Sequence, residues 1–261
     1  MRFSERLALR FRKLCVACDR YDRTMNKEHY WPVWLIKRTG AVREGVTWAG
    51  KKNVSALAAT LPICQDCNSA FGRELESPMS KLFDEIEGGS GLSDNDAELF
   101  VRWLWKLEGL SWVFTHPGHR YTQKYTLRQR TLLPIDEIRG HLTLAISLAE
   151  RRDPNWEEGA LGIDSMNVHN AVFVSGVFSR IAVLVTLSMF DDEIPVSFSK
   201  YHLHPKRDLA NGNVNLFFPR TGIPTCTDAI TLLRTISPRI SQLHDQFGEE
   251  MQQKVLMERP T

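Results

Sequence analysis

Four of the five cysteines form two CxxC pairs, Cys15/Cys18 and Cys64/Cys67, whereas Cys226 stands alone. Two thiolates at this spacing hold one edge of a tetrahedral zinc site, so the two pairs together predict one structural Zn²⁺ ion. Disulfides are disfavoured because nothing marks the chain as secreted, and a thioredoxin-like redox site normally has one CxxC. The ion would close a loop of 45 residues. We expect Cys226 to be a buried apolar residue.

An acidic-histidine pair, Glu28-His29, lies between the two cysteine pairs and is followed by Pro32, while Asn68 comes directly after the second pair. Cleavage of a phosphodiester needs a deprotonated water, and a histidine can be the general base near neutral pH. A hard divalent cation stabilises charge on the phosphate and on the leaving oxygen. Carboxylate and amide oxygens suit Mg²⁺ or Mn²⁺. These residue types therefore suit phosphodiester hydrolysis.

The order of these motifs, CxxC, acidic-His, Pro and CxxC-Asn, resembles the HNH endonuclease family, also called the ββα-metal nucleases, over roughly residues 10–80. The resemblance implies a DNA endonuclease in which His29 is the general base. It also implies that Glu28 and Asn68 bind a catalytic Mg²⁺ or Mn²⁺ that is separate from the zinc. HNH proteins with an N-terminal nuclease and a further domain occur in restriction, mobile elements and anti-phage defence, which implies an effector of bacterial defence.

The chain departs from the family pattern at two places. Ala59 stands where HNH enzymes usually have an asparagine that orients the base, and Asn68 comes 39 positions after His29, a longer spacing than in compact members. A rival interpretation stays open: the cysteines only staple a non-catalytic module that binds nucleic acid or protein. A bare zinc ribbon has no use for an acidic-His pair and an asparagine at these places, so the nuclease is favoured.

Three elements must position these residues. We expect Glu28-His29 on the first strand of a hairpin, residues 59–63 as the second strand, and a helix from Asn68 through Leu75 to residue 79, near Pro78. Adjacent strand residues point to opposite faces, so a twist or bulge would have to bring Glu28 and His29 to one cation.

The first 80 residues are basic, with 14 Lys+Arg against 8 Asp+Glu, although the whole chain has a net charge of +2. We predict an insertion over residues 37–55, which is either a basic loop that tracks phosphates or a solvated surface loop. Glu76 either assists the metal or anchors a basic neighbour, and Trp31 and Trp34 are predicted to be core residues. The candidate nucleic-acid contacts are Lys37, Arg38, Arg43, Lys51 and Lys52.

The fold class is predicted as α+β, with a zinc-stapled nuclease domain over residues 1–87 and an accessory domain over 88–261. A glycine-rich joint at 87–91 separates them. The accessory domain is predicted to be an antiparallel sheet flanked by helices at 97–113 and 135–151, with a final helix or helix pair at 229–257 that has Pro238 between its halves. Its strands are predicted at 159–163, 171–178, 181–189, 196–203 and 214–218.

The acidic balance of the accessory domain favours a protein partner or a homo-oligomer over DNA. His202-x-His204 is interpreted as a polar sheet edge, with a second metal site as the alternative. No apolar run is long enough for a membrane helix or a signal peptide, so we expect a soluble, cytoplasmic protein whose nucleic-acid partner is DNA.

Overall fold

The described part of the chain in this computed structural model is residues 14–44, 46–48, 51–115, 125–151, 161–164, 172–206 and 216–257. For residues 43–44, 46–48, 51–54, 114–115, 162–164 and 252–257 only the backbone is described. The described fold mixes helices with sheets whose strand pairs are antiparallel, apart from one parallel pair. Among these residues, no helix has both the length and the apolar character that a membrane crossing needs.

The acidic-histidine pair ends the first strand, as expected. Strand β1 (Met25–His29) pairs antiparallel with β4 (Thr60–Cys64), and the chain passes from β4 directly into helix α3 (Gln65–Phe71). The register runs without interruption from Met25 opposite Cys64 to His29 opposite Thr60. The expected bulge is therefore absent from this strand pair.

The helix that carries Asn68 is longer than predicted. It begins at Gln65, widens into a π-helical turn over Gly72–Glu76, and continues as α4 (Ser77–Glu87). The amide of Ser77 donates to the carbonyl of Gly72, five residues back. Pro78 follows at the start of α4 and has no N–H to donate, so the widened turn lets the helix continue through it.

The prediction of a basic loop at 37–55 is wrong. Most of that stretch is folded into helices α1 (Val33–Thr39) and α2 (Ala41–Glu44) and the hairpin β2 (Val46–Trp48) and β3 (Lys51–Val54). Gly40 ends α1 in the left-handed conformation, with φ of 78°. That glycine marks the end of a helix, not the start of a loop.

The predicted helix over 135–151 is also wrong. Only the short α7 (Asp136–Arg139) is helical, and strand β5 (Leu142–Arg151) follows it. Leu144 and Ile146 belong to one hydrophobic core, whereas Ala145 and Ala149 belong to the other. Both faces of the strand are buried, so its apolar residues do not alternate with polar ones. Without that alternation, the spacing of the apolar residues also matched a helical pattern.

Strand β5 lies inside a six-stranded sheet in the second half of the chain. It pairs antiparallel with β8 (Ile181–Leu187), and its other side pairs with both β9 (Ser199–His202), antiparallel, and β10 (Arg220–Thr225), parallel. The predicted strands at 159–163, 171–178, 181–189 and 196–203 correspond to shorter ones, while the described part of 214–218 forms an isolated bridge at Phe217. The sheet strands besides β5 are β6 (Leu161–Asp164), β7 (Val174–Phe178), β8 (Ile181–Leu187), β9 (Ser199–His202) and β10 (Arg220–Thr225).

Helices cover both faces of this sheet. Helix α5 (Asp94–Thr115), capped by the Ser93 hydroxyl, lies on one face, and α6 (Leu127–Leu132) packs against α5. Helix α8 (Cys226–Met257) lies on the other and continues through Pro238, so the final segment is a single helix, one of the two alternatives predicted. One core runs without a break from the β1–β4 unit through α5 to the sheet.

Candidate metal centre and the adjoining Glu-His strand

The four paired cysteines meet at one point. Their sulfur atoms all lie within 4.8 Å of one another, and all are free thiols. The Sγ atoms of Cys18 and Cys64 are 3.9 Å apart. A tetrahedral Zn²⁺ with Zn–S bonds of about 2.3 Å has sulfur–sulfur edges of about 3.8 Å. The donor set and its spacing therefore fit a structural zinc ion, with Cys15, Cys18, Cys64 and Cys67 as its ligands.

Backbone hydrogen bonds place the first cysteine pair against the second. The chain reverses after Cys15, whose amide donates to the carbonyl of Arg20 at 2.8 Å, and Asp19 takes a left-handed conformation in that turn. The amide of Val16 donates to the carbonyl of Pro62 in β4 at 3.0 Å. The amide of Cys64 then donates to Sγ of Cys15 at 3.3 Å. The end of β4 and the first turn thus converge on the same centre.

The thiols differ strongly in acidity. The hydrogen bond from Cys67 lowers the pKa of Cys15 to about 5, whereas burial raises the pKa of Cys18 to about 11. The hydrogen bond to the Cys15 thiolate raises the pKa of Cys67. The negative charge of the Cys15 thiolate therefore makes ionisation of the neighbouring thiols unfavourable. A divalent cation bound between the four sulfur atoms would offset the repulsion between thiolates.

Arg128, which the sequence did not single out, lies beside the cysteines. It enters from helix α6, and its Nη1 donates to Sγ of Cys67 at 3.4 Å. Its backbone amide also donates to the carbonyl of Ala17 at 2.7 Å. A zinc ion with four thiolates has two net negative charges, so this guanidinium stabilises the loaded centre and ties it to the second half of the chain.

The Glu-His pair is split between the two faces of the hairpin. Glu28 is buried with only 9% of its surface exposed, whereas His29 is half-buried beside Thr60. Asn68 is half-buried on α3, which packs against β1. Within the described residues, neither the His29 ring nor the Asn68 amide is held by a hydrogen bond or ion pair. Ala59 contributes only its carbonyl, which accepts from the amide of Tyr30.

Glu28 belongs to a buried ion cluster with Lys106 and Glu76. Lys106 on α5 is 0% exposed, and its Nζ lies 2.5 Å from Oε1 of Glu28 and also donates to Oε1 of Glu76. Its ammonium is 5.3 Å from the ring centroid of Phe71. Burial lowers the pKa of Lys106, but the two carboxylates outweigh burial and raise it overall, so the lysine stays charged.

Glu76 is held more completely than Glu28. Its Oε2 accepts from Nε1 of Trp34 at 2.8 Å and from Nε1 of Trp103 at 3.4 Å, while its Oε1 accepts from Lys106. Glu76 thus anchors a basic neighbour, Lys106, which is one of the two roles predicted for it from the sequence. The sequence does contain a signal for this contact, namely a single lysine among the apolar residues of α5. A charged residue at a buried position needs a partner of opposite charge.

The predicted core tryptophans are confirmed. Trp31 is buried, and the half-buried Trp34 packs edge-on against Phe83 at 5.0 Å between ring centroids. Cys226 is 0% exposed, as expected for a buried residue. His202 lies on a polar sheet edge, where its ring bonds to Thr143 and Asp191.

The candidate nucleic-acid contacts are only partly described. Lys37 is exposed, whereas Arg38 is half-buried and pairs with Asp84 and with Glu87, the latter at 3.0 Å. Arg38 therefore ties α1 to α4. The side chains of Arg43, Lys51 and Lys52 lie outside the described residues.

The fit of a catalytic cation rests on two oxygen donors. Glu28 uses one carboxylate oxygen for Lys106, and Asn68 offers an amide oxygen from the helix next to β1, so the donor types suit Mg²⁺ or Mn²⁺. Within the described ranges, the four cysteines are the only group of three or more His, Cys, Asp or Glu side chains close enough to share an ion. A second ion would therefore depend on the asparagine, water or substrate for its other ligands.

Similarity to known proteins gives no further guide to the site. Comparison of the chain with models of known protein families, with curated proteins and with solved structures finds no match. The candidate site is therefore defined by its own residues and their geometry.

Proposed function

We propose that the chain is an HNH-type endonuclease that hydrolyses DNA phosphodiester bonds. One observation carries the proposal: β1 pairs antiparallel with β4, and β4 leads directly into α3 at the four-cysteine centre, so the three elements form a ββα unit with Glu28-His29 at the end of β1 and Asn68 on α3. This is the order of elements that the resemblance implies. Within the part of the chain that the structure describes, no hydrogen bond or ion pair occupies the His29 ring, which leaves its nitrogens available to a water molecule.

Each residue of the proposed site has a separate role. His29 takes the proton of the attacking water at a ring nitrogen, since a histidine changes charge near neutral pH. Glu28 and Asn68 would hold the cation through their oxygens. A bound Mg²⁺ or Mn²⁺ would stabilise negative charge on the phosphate and on the leaving oxygen. The zinc centre keeps β4, α3 and the first turn together and takes no part in the chemistry.

A second candidate, a non-catalytic binding module stapled by zinc, is favoured by one observation. The carboxylate of Glu28 is buried and already neutralised by Lys106 at 2.5 Å, as expected of an ion pair that serves only the fold. In that case the basic N-terminal segment would bind nucleic acid without cutting it.

A cleavage assay separates the two candidates. The purified zinc-loaded chain is incubated with supercoiled plasmid, linear duplex, single-stranded DNA and RNA, with Mg²⁺, Mn²⁺ or EDTA. The nuclease proposal expects metal-dependent cutting of DNA that His29→Ala abolishes and that His141→Ala, the same change at an exposed histidine, retains. Binding of DNA without cutting under every condition would favour the binding module.

A protein partner or a second copy of the chain that binds residues 88–261 remains a prediction. Val196 is 81% exposed and Phe218 56% exposed, near the edge formed by β9 and β10. Exposed apolar side chains of this kind suit a protein partner or a second copy of the chain. A role in anti-phage defence rests on the resemblance alone.

A further inference from the structure

Lys106 reaches the proposed site from outside the ββα unit. It lies on α5, some 78 residues after Glu28 in the sequence, yet its Nζ is 2.5 Å from the Glu28 carboxylate. The lysine is fully buried, so it cannot touch a nucleic acid. Of its two carboxylate partners, Glu28 is the one that belongs to the proposed site.

The two carboxylates of the cluster are not equivalent. Both oxygens of Glu76 are in use, one with Lys106 and the other with two indole N–H groups. Glu28 gives only Oε1 to the lysine. Two carboxylates and one ammonium leave one net negative charge, so the cluster retains charge that can attract a cation.

We propose that Lys106 sets the cation affinity of the proposed site by competing with the cation for the Glu28 carboxylate, which the lysine holds through Oε1. The inference rests on the proposed function, in which Glu28 is a cation ligand. Groups that hold metal ligands in place are known to tune metal affinity. A lysine that serves only stability would leave the affinity of the site unchanged.

The cluster allows opposite predictions for two variants. Glu76→Gln leaves Lys106 with Glu28 as its only carboxylate, so the lysine holds Glu28 more tightly and Mn²⁺ binding weakens. Lys106→Met combined with Glu76→Gln removes one positive and one negative charge, so the net charge stays the same and Glu28 is released. Mn²⁺ binding then tightens, by about tenfold relative to the native chain.

The test measures Mn²⁺ binding without nucleic acid, by electron paramagnetic resonance of free Mn²⁺ against the full, zinc-loaded chain. The expected result is a lower dissociation constant for the double variant, a higher one for Glu76→Gln, and loss of binding when Glu28→Gln is added to the double variant. Equal constants in all three proteins, a change of opposite sign, or binding that survives Glu28→Gln would overturn the proposal. If the double variant does not fold, Glu76→Gln alone decides the sign.

Failure of this inference differs from failure of the nuclease proposal. If Mn²⁺ affinities shift as expected but no nucleic acid is cut, Lys106 still sets the affinity of a cation site, and the nuclease proposal is refuted. If the native chain cuts DNA and the affinities do not move, only the role of Lys106 is refuted.

Discussion

Removal of the Lys106 ammonium should destabilise the protein more than most single changes. Lys106→Met keeps the length and apolar stem of the side chain but leaves Glu28 and Glu76 facing each other without a counter-charge. The lysine is 0% exposed and Glu28 only 9%, so water cannot replace the lost partner. Breaking a buried ion pair by removing one partner costs about 3–5 kcal/mol.

That cost should be relieved by a second change. Glu76→Gln in the Lys106→Met background removes one of the two orphaned charges, and the glutamine oxygen can still accept from Trp34. We expect the double variant to recover about 2 kcal/mol of the free energy of unfolding, because one unpaired carboxylate, that of Glu28, then remains in the buried cluster instead of two that repel each other. The two changes must therefore be strongly non-additive.

Urea unfolding at pH 7 with zinc held constant measures these free energies, and Trp34 and Trp103 provide fluorescence next to the cluster. Lys81→Met on α4 is the matched control, since Lys81 is exposed and should cost less than about 0.5 kcal/mol. The reasoning is refuted if Lys106→Met costs less than about 1 kcal/mol. Additive losses in the double variant would refute it equally.

Three further predictions concern the zinc centre and a buried histidine. Cys64→Ser should lose zinc in elemental analysis and lower the free energy of unfolding by more than about 3 kcal/mol, while Cys226→Ser retains the metal; equal zinc contents would contradict this. Arg128→Gln should weaken zinc binding about tenfold in a competition titration with a chelator, whereas Arg239→Gln should not. Burial lowers the pKa of His244 from 6.5 to about 4. Because the unfolded chain binds that proton first, stability present above pH 6.5 is lost as the pH falls towards 4, by about 3 kcal/mol at most, and His244→Gln should flatten this slope in unfolding measurements.

Short motifs in the sequence predicted the cysteine cluster and the order of the elements around it. The CxxC spacing predicted that four thiols share one centre, because two cysteines this close in sequence can bind the same ion, and the four sulfur atoms do lie together. The order strand, strand, helix around the second pair followed from local alternation and from the helix after Cys64. Pro32, Trp31 and Trp34 were correctly expected next to the first strand, with the tryptophans in the core.

Long-range partners were not predictable from local pattern. Lys106 and Arg128 come to the site only because α5 and α6 fold back onto the ββα unit. Strand β5 was mistaken for a helix because two layers of helices bury both of its faces, which removes the polar alternation of an ordinary strand. Gly40 lies within the loop predicted at 37–55, but its left-handed conformation ends helix α1.

The central claim is that His29 is the general base of a DNA endonuclease, and the single-turnover cleavage rate of His29→Ala tests it most directly. With the zinc-loaded chain in excess over plasmid and with Mn²⁺ present, the account predicts a rate about 10²- to 10⁴-fold below that of the native chain, with zinc content and unfolding free energy unchanged. A native chain that cuts no DNA with either Mg²⁺ or Mn²⁺, or a variant that cuts as fast as the native chain, would contradict it.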